Sequence, residues 1–489
     1  MGQFNINVKK YSLKQMVALP FVILLTIVLW VLPTTFFGIE GLTIVEQRMI
    51  AVFIFAALMW MFEVIPAWAT SVITIVIMLL TMSDSSIAFM DGKYMKDGVE
   101  TTIENFGTLV SYKALVSTYA SPIIMLFLGG FILAIAASKV GLDVTLAKAL
   151  LTPFGNKPKF VLLGFLMVIG FFSMFMSNTA TAAMMLTFLA PVLKTLPADG
   201  KGRICLALSI PIAANIGGIG TPIGTPPNAI ALGYLNEHLG VTIGFGEWMM
   251  VMVPFVIVML LISWVLLLKL FPFKAKTIEL HIEDNKVRTP KTYIVWVTFA
   301  ATIILWVLDR YTGVNANVVA MIPVGIFAIT GVINKEDLQQ INWSVLWMVA
   351  GGIALGVGLS QTGLASHLVK SIPFDEWSPI AVILISGFIG YLISNFISNT
   401  ASANLLVPIL GAVAVGMGSN LDAIGGVKTL LVGVALSTSF AMLFPISTPP
   451  NAIAHSTGLI TTSDMTKIGI FIGLIGFSLG YLLLIFIGI

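Results

Sequence analysis

The sequence predicts an all-α polytopic membrane protein, and three observations carry that prediction. Of its 489 residues, 58% are hydrophobic and 10% charged, against about 45–50% and about 25% in soluble domains. The apolar residues arrive in blocks of roughly 20, the length a helix needs to cross a bilayer. Within the blocks apolar and polar residues do not alternate, as they would in membrane-spanning strands.

Apolar spans fall at about 15–37, 43–62, 64–82, 120–138, 248–271, 291–309, 312–333, 342–361 and 465–489. The first resembles a signal peptide behind Lys9, Lys10 and Lys14, but it is long and lacks a small-residue cleavage site, so it reads as a retained span. Two further regions, 157–240 and 376–460, are apolar runs interrupted by Gly, Pro and Asn. The single Cys205 excludes an intrachain disulfide. The four histidines are scattered, without metal-ligand spacing.

Charge placement orients the chain. Lys9, Lys10 and Lys14, then Lys139, Lys148, Lys157 and Lys159, then Lys194, Lys201 and Arg203, and Lys274, Lys276, Lys286, Arg288 and Lys291 in the polar connector all belong in the cytoplasm by the positive-inside rule. The acidic segment 83–119 (Asp84, Asp91, Asp97, Glu100, Glu104) and the Lys/Arg-free stretch 236–247 then face outside. With both 139 and 194–203 inside, the stretch 157–193 enters and returns without crossing, as a re-entrant helical hairpin.

The chain also repeats itself. LGGFILAIAASKVGL (128–142) aligns with AGGIALGVGLSQTGL (350–364), so Gly129/Gly351, Gly130/Gly352, Gly141/Gly363 and Lys148/Lys370 share an offset of 222. SNT at 177–179 returns at 398–400, offset 221, and TPPNAIA at 225–231 returns at 448–454, offset 223. The halves run roughly 43–271 and 291–489, and the second hairpin enters from the opposite face. Inverted repeats with interrupted helices at matching positions point to a secondary transporter, with its site near the midplane where the repeats meet.

The interruptions carry the chemistry. IGGIGTPIGTPPNAIA (216–231) and FPISTPPNAIA (444–454) place Gly and Pro inside apolar runs. Backbone of that kind survives at membrane depth only where protein or a water-filled cavity satisfies it. Pro226–Pro227 and their repeat are suited to begin a new half-helix. Half-helix N-termini suit carboxylates, while carbonyls with Ser and Asn oxygens suit a hard cation such as Na⁺. Ser173 and Ser177 lie one helical turn apart, as do Ser394 and Ser398. Neither motif holds Arg or Lys, so a doubly charged anion needs compensation there, most simply from co-bound cations. His455 is the ionisable residue nearest either motif, read as a packed residue or as a compensating charge. The paired glycines read as close-packing positions and Glu63 as interfacial. No His-Glu-x-x-His or Gly-x-Ser-x-Gly motif is present, which argues against an enzyme.

At the paired SNT and TPPNAIA motifs the chain resembles the divalent-anion:sodium symporter family, the INDY-type dicarboxylate transporters, over nearly its whole length. The resemblance implies about 11 transmembrane helices plus two re-entrant hairpins in an inverted repeat, in a homodimer whose scaffold and transport domains work as an elevator. The implied divisions are scaffold spans over 1–138, a first transport region over 139–271, a cytoplasmic linker over 272–291, scaffold spans over 292–361 and a second transport region over 362–489. By motif, Asn178, Thr179, Asn399 and Thr400 would contact substrate carboxylates, with Thr225, Thr448 and Pro449 lining the same site. One Na⁺ site would use Ser173, Ser177, Asn178 and backbone near Gly224; the other would use Ser394, Asn399 and backbone near Ser447. The family includes sodium-independent exchangers in which basic side chains take the sodium role, a part open to His455.

The expected activity is transport of C4–C5 dicarboxylates (succinate, malate, fumarate, 2-oxoglutarate) across the cell membrane, with no cofactor beyond Na⁺ as a coupling ion and no nucleic-acid partner. Na⁺ symport and counter-exchange both fit the motifs. Sulfate or citrate are alternative substrates, and an anion channel would use the same helix dipoles.

Overall fold

The computed structural model describes residues 13–96, 99–197, 200–278, 288–371 and 376–489. Lys9, Lys10, Asp97 and Lys286, used above for orientation, lie outside them. The described chain is helical apart from a two-stranded antiparallel ribbon, Lys93–Lys96 with Val99–Thr102, inside the acidic segment. No sequence signal had marked that ribbon.

Local chemistry sets where helices begin. Proline opens the helices starting at Pro122, Pro158, Pro226, Pro290, Pro379 and Pro449, where its missing N–H costs nothing. Capping boxes open others: Thr43 with Glu46, and Thr461 with Asp464. Nine helices among the described residues are long and apolar enough to cross a membrane, against about eleven expected. The nine include Pro158–Phe175, Pro379–Phe396 and Asn399–Ile424, which fall in the two interrupted regions, and four shorter apolar helices lie beside them: Val17–Val31, Ala67–Met82, Ala316–Ile329 and Gly426–Ser439. The expected span 312–333 is the helix Ala316–Ile329, flanked by Gly313 and Gly331 in the left-handed region at φ 69° and 62°. It is about 21 Å long at 1.5 Å per residue, short of the bilayer core.

The two interrupted regions have the same plan. In the first, Pro158–Phe175 turns through Met176–Ser177 into Asn178–Thr195; then Lys201–Gly218 stops, an irregular stretch follows, and Pro226–Leu239 resumes. In the second, Pro379–Phe396 turns into Asn399–Met417, and Gly426–Ser439 stops before Pro449–Ser456. Each ingoing arm packs along its own first half-helix. The returning arms cross over: Asn178–Thr195 packs on Pro449–Ser456, and Asn399–Met417 packs on Pro226–Leu239.

The paired glycines are close-packing positions, as expected. A Cβ on Gly129 would fall on the Ala320 carbonyl and one on Gly351 on the Ser71 side chain. Large side chains fill the interior, with Trp60, Trp248 and Trp306 fully buried, while Val297, Ile304, Ile385 and Leu392 lie exposed. An apolar exterior around an apolar interior is what a bilayer solvent allows.

Candidate functional site

The first tip and the first break meet through Asn178. Its amide nitrogen donates to Gly224 O (3.0 Å), Ala214 O (3.2 Å) and Ser173 Oγ (2.7 Å), an orientation set by the acceptors around it. Ser173, fully buried, donates in turn to Ala214 O at 2.7 Å. The glycines of the break make this approach feasible. A Cβ on Gly224 would fall on Gly218 O, and one on Gly218 would meet the Asn178 amide. Three oxygens from three elements thus converge on one side-chain amide.

The second half repeats the geometry. Ser394 Oγ lies 2.8 Å from Asn399 Oδ1 and 2.9 Å from Thr438 O. One hydroxyl proton cannot serve both acceptors at once, so this cluster too is rich in oxygen. Ser177 and Ser398 are N-caps, each accepting at 3.2 Å from the amide three residues on, Ala180 N and Ala401 N. Ser177, expected in the cation cluster, thus uses one lone pair of its hydroxyl to cap its own helix and keeps the other. Ser447 donates to Asn395 O at 2.8 Å and joins the second cluster only through the residue after Ser394. Thr179 and Thr400, second in their helices, are partly exposed, and Pro449 is exposed.

The breaks satisfy their own backbone, as burial demands. Asn228 Nδ2 donates to Thr221 O (2.8 Å) and Gly218 O (3.2 Å). Asn451 Nδ2 does the same toward Met442 O (2.9 Å) and Phe444 O (3.0 Å). Asn395 Oδ1 accepts from Leu443 N at 2.9 Å, and Trp248 Nε1 donates to Ile219 O at 2.9 Å. Thr225 and Thr448 are the buried N-caps of the resumed helices; Thr448 Oγ1 accepts from Asn451 N at 3.3 Å. Asn215, in the first half-helix, donates to both Thr448 Oγ1 and Asn451 Oδ1 at 3.1 Å. A chain of contacts therefore runs from the first tip to the first break, across to the second break and on to the second tip.

Sequence reasoning missed Asn215, Asn395 and the part played by the Asn of each Pro-Pro-Asn, Asn228 and Asn451. The last was visible in the repeat itself, and Asn395 stands just ahead of the second Ser-Asn-Thr. Asn215 had only one signal, a lone amide within an apolar run.

Each half-site places helix C-termini and N-termini side by side. Ingoing arms and first half-helices end here with carbonyls, which favour a cation; returning arms and resumed helices begin here with N–H groups, which favour an anion. His455 closes the Pro449–Ser456 helix at the end opposite Thr448, roughly 10 Å along its axis. A separate cavity of about 580 Å³ reaches from Pro222 of the first break to Glu237, Glu247, Asp309 and Arg310.

Duplicated broken helices around a buried polar chain define the class, a polytopic membrane transporter built to hold small ions. The chain belongs to the family described as the sodium:sulfate symporter transmembrane region, which matches residues 13–488. It is similar to the "Sodium-dependent dicarboxylate transporter SdcS" of Staphylococcus aureus strain USA300, at 29% identity over 503 aligned positions covering 96% of this chain and 90% of the relative. The SdcS proteins of strains MRSA252 and bovine RF122 match over the same extent at 29% and 28%. The family and these relatives are transporters, so this chain is a transporter and not an enzyme. The resemblance read from the paired motifs holds.

Proposed function

We propose that the chain couples Na⁺ entry to uptake of C4–C5 dicarboxylates such as succinate, malate, fumarate and 2-oxoglutarate. The observation that carries this reading is the pair of oxygen clusters, Ser173–Asn178–Ala214–Gly224 and Ser394–Asn399–Thr438, each beside two helix N-termini. Four N-termini of about +0.5 charge each offset roughly two negative charges, which suits a dianion. A Na⁺ in each cluster would take over the oxygens that share one amide or one hydroxyl proton. Thr179, Thr400, Thr225, Thr448 and the Asn178 and Asn399 amides would then bind the two carboxylates, with Pro449 lining the site.

On this reading the helix pairs are re-entrant hairpins in an inverted repeat, and the N-terminus is cytoplasmic. The regions 139–271 and 362–489 move as an elevator against scaffold spans 1–138 and 292–361, and two copies associate. Sodium coupling is preferred to counter-exchange because the relatives are named sodium-dependent, and because His455 stands a helix length from the Thr448 cap. The family description favours one second reading, sulfate as the substrate anion.

Purified protein in proteoliposomes tests both. Labelled succinate uptake should require an inward Na⁺ gradient and saturate. Uptake that ignores Na⁺ and needs internal dicarboxylate would replace symport with exchange. Uptake of sulfate but not succinate would replace the substrate.

A further inference from the structure

The halves of the site are built alike, but the bond that joins them is not repeated. Asn215 follows Ala214, whose carbonyl receives Ser173 and Asn178 in the first cluster. Its own amide reaches into the other half, to Thr448 Oγ1 and Asn451 Oδ1, both at 3.1 Å. In the second half the residue after Thr438 is Ser439, whose hydroxyl bonds its own helix at Ala435 O, 2.8 Å away. Accordingly Asn228, the counterpart of Asn451, has an Oδ1 with no partner. Asn215 is 1% exposed, and its Oδ1 is likewise unpartnered. Burying an amide with one end unmet costs free energy, so packing alone is a poor reason for its presence.

We propose that Asn215 is a positioning residue that couples the two half-sites. One turn of helix carries both the Ala214 carbonyl that belongs to the first cation cluster and the amide that fixes the Thr448 cap on the substrate side. A cation that pulls on Ala214 O shifts the residue next to it, and that shift reaches Thr448 without crossing the bilayer-facing surface. The inference rests on the substrate reading of Thr448 given above and adds the residue through which the two halves communicate.

A double-mutant cycle in proteoliposomes tests it, because residues that act through one another are not additive. Initial rates of succinate uptake under a Na⁺ gradient are measured for wild type, Asn215→Ala, Thr448→Ala and the double variant. Asn215→Ala should raise the succinate KM about tenfold through the lost hydrogen bond to Thr448 Oγ1, with Vmax within about twofold. In the double variant KM should be no higher than in Thr448→Ala alone. Multiplying KM effects, or a loss confined to Vmax and Tm, would overturn the proposal. If Asn215→Ala does not survive purification, Asn215→Ser, which keeps a donor, replaces it. It should raise KM about threefold in the wild-type background and not at all in Thr448→Ala; an equal rise in both would overturn the proposal. Should wild-type vesicles take up no dicarboxylate, the transport reading falls by itself. The same cycle is then read on the Na⁺-induced rise in Tm in detergent, with non-additivity expected and additivity again overturning the coupling.

Discussion

At the first tip, three oxygens share the Asn178 amide, while the returning arm behind it leaves Ala180, Ala183 and Thr187 exposed. At the second tip, two oxygens compete for the Ser394 hydroxyl, and the matching residues Ala401, Asn404 and Pro408 are all buried. Asn404 donates to Met348 O at 2.9 Å, within the Trp343–Gln361 helix. The repeated motif therefore reproduces the local bonds and leaves the surroundings free to differ. One arm is packed on this face and the other is exposed.

The largest effect should come from removing the two amides in turn. Asn178→Ala leaves Gly224 O without its donor, while Ala214 O keeps Ser173, whereas Asn399→Ala takes away one acceptor near Ser394. Na⁺-driven uptake should fall on the order of a hundredfold for the first and about tenfold for the second, since a stranded buried acceptor costs more than a lost bond. Proteoliposome uptake rates at fixed Na⁺ measure both. Equal losses would mean that the clusters work alike despite their surroundings.

The breaks extend the contrast. Gly218 stands where the second half has Met442: each carbonyl is bound by the Asn of its own Pro-Pro-Asn, at 3.2 and 2.9 Å. Only the first position lacks room for a side chain, because the Asn178 amide and Gly224 O stand where a Cβ would go. Gly218→Ala should therefore reduce uptake about tenfold, through overpacking of roughly 1–3 kcal/mol, while Met442→Ala leaves the cluster geometry in place. Comparable losses in the two variants would remove the distinction.

Repetition explains what could be read in advance. Two copies of Ser-Asn-Thr, of Pro-Pro-Asn and of the glycine pair gave the tips, the breaks and the close-packed faces, because each copy corroborated the other. What broke the symmetry stayed hidden: Asn215 has a serine, Ser439, in its matching place. The 312–333 run is shorter than expected for another reason. It is mostly apolar, but Asn315 caps the start of the helix and Thr330–Gly331 follow its end, short of spanning length.

The two halves are also tied by polar side-chain contacts, again unequally. Lys139 bonds the Asp337 carboxylate, which also caps Asn334 N at 2.8 Å; His367 Nδ1 lies 3.2 Å from Glu46, which caps Thr43 N at 2.8 Å. Burial raises the Asp337 carboxyl, but Lys139 and the Asn334 amide outweigh it and hold the group below its ordinary 3.8. A depressed acid contributes stability that is complete above the unfolded value and fades as pH falls below about 3.8. Lys139→Ala should lower Tm by roughly 2 °C at pH 7 by leaving a buried carboxylate without its cation, and that deficit should shrink below pH 3.8. Lys139 is 38% exposed, so the effect is modest. A deficit that stays constant with pH would assign Lys139 a packing role instead.

The smallest effect is expected at His455, and its size discriminates between two ways of balancing a dianion. If Na⁺ in the two clusters supplies the charge, an imidazole roughly 10 Å along the helix from Thr448 is outside the shell that matters. His455→Ala should then change Na⁺-driven succinate uptake by less than about twofold. If the protein instead exchanges dicarboxylates and His455 supplies the compensating charge, the same variant should impair counterflow severely. Measuring both modes on one preparation separates the cases, because a variant silent in symport and damaged in exchange would place the positive charge on the helix end and not in the oxygen clusters.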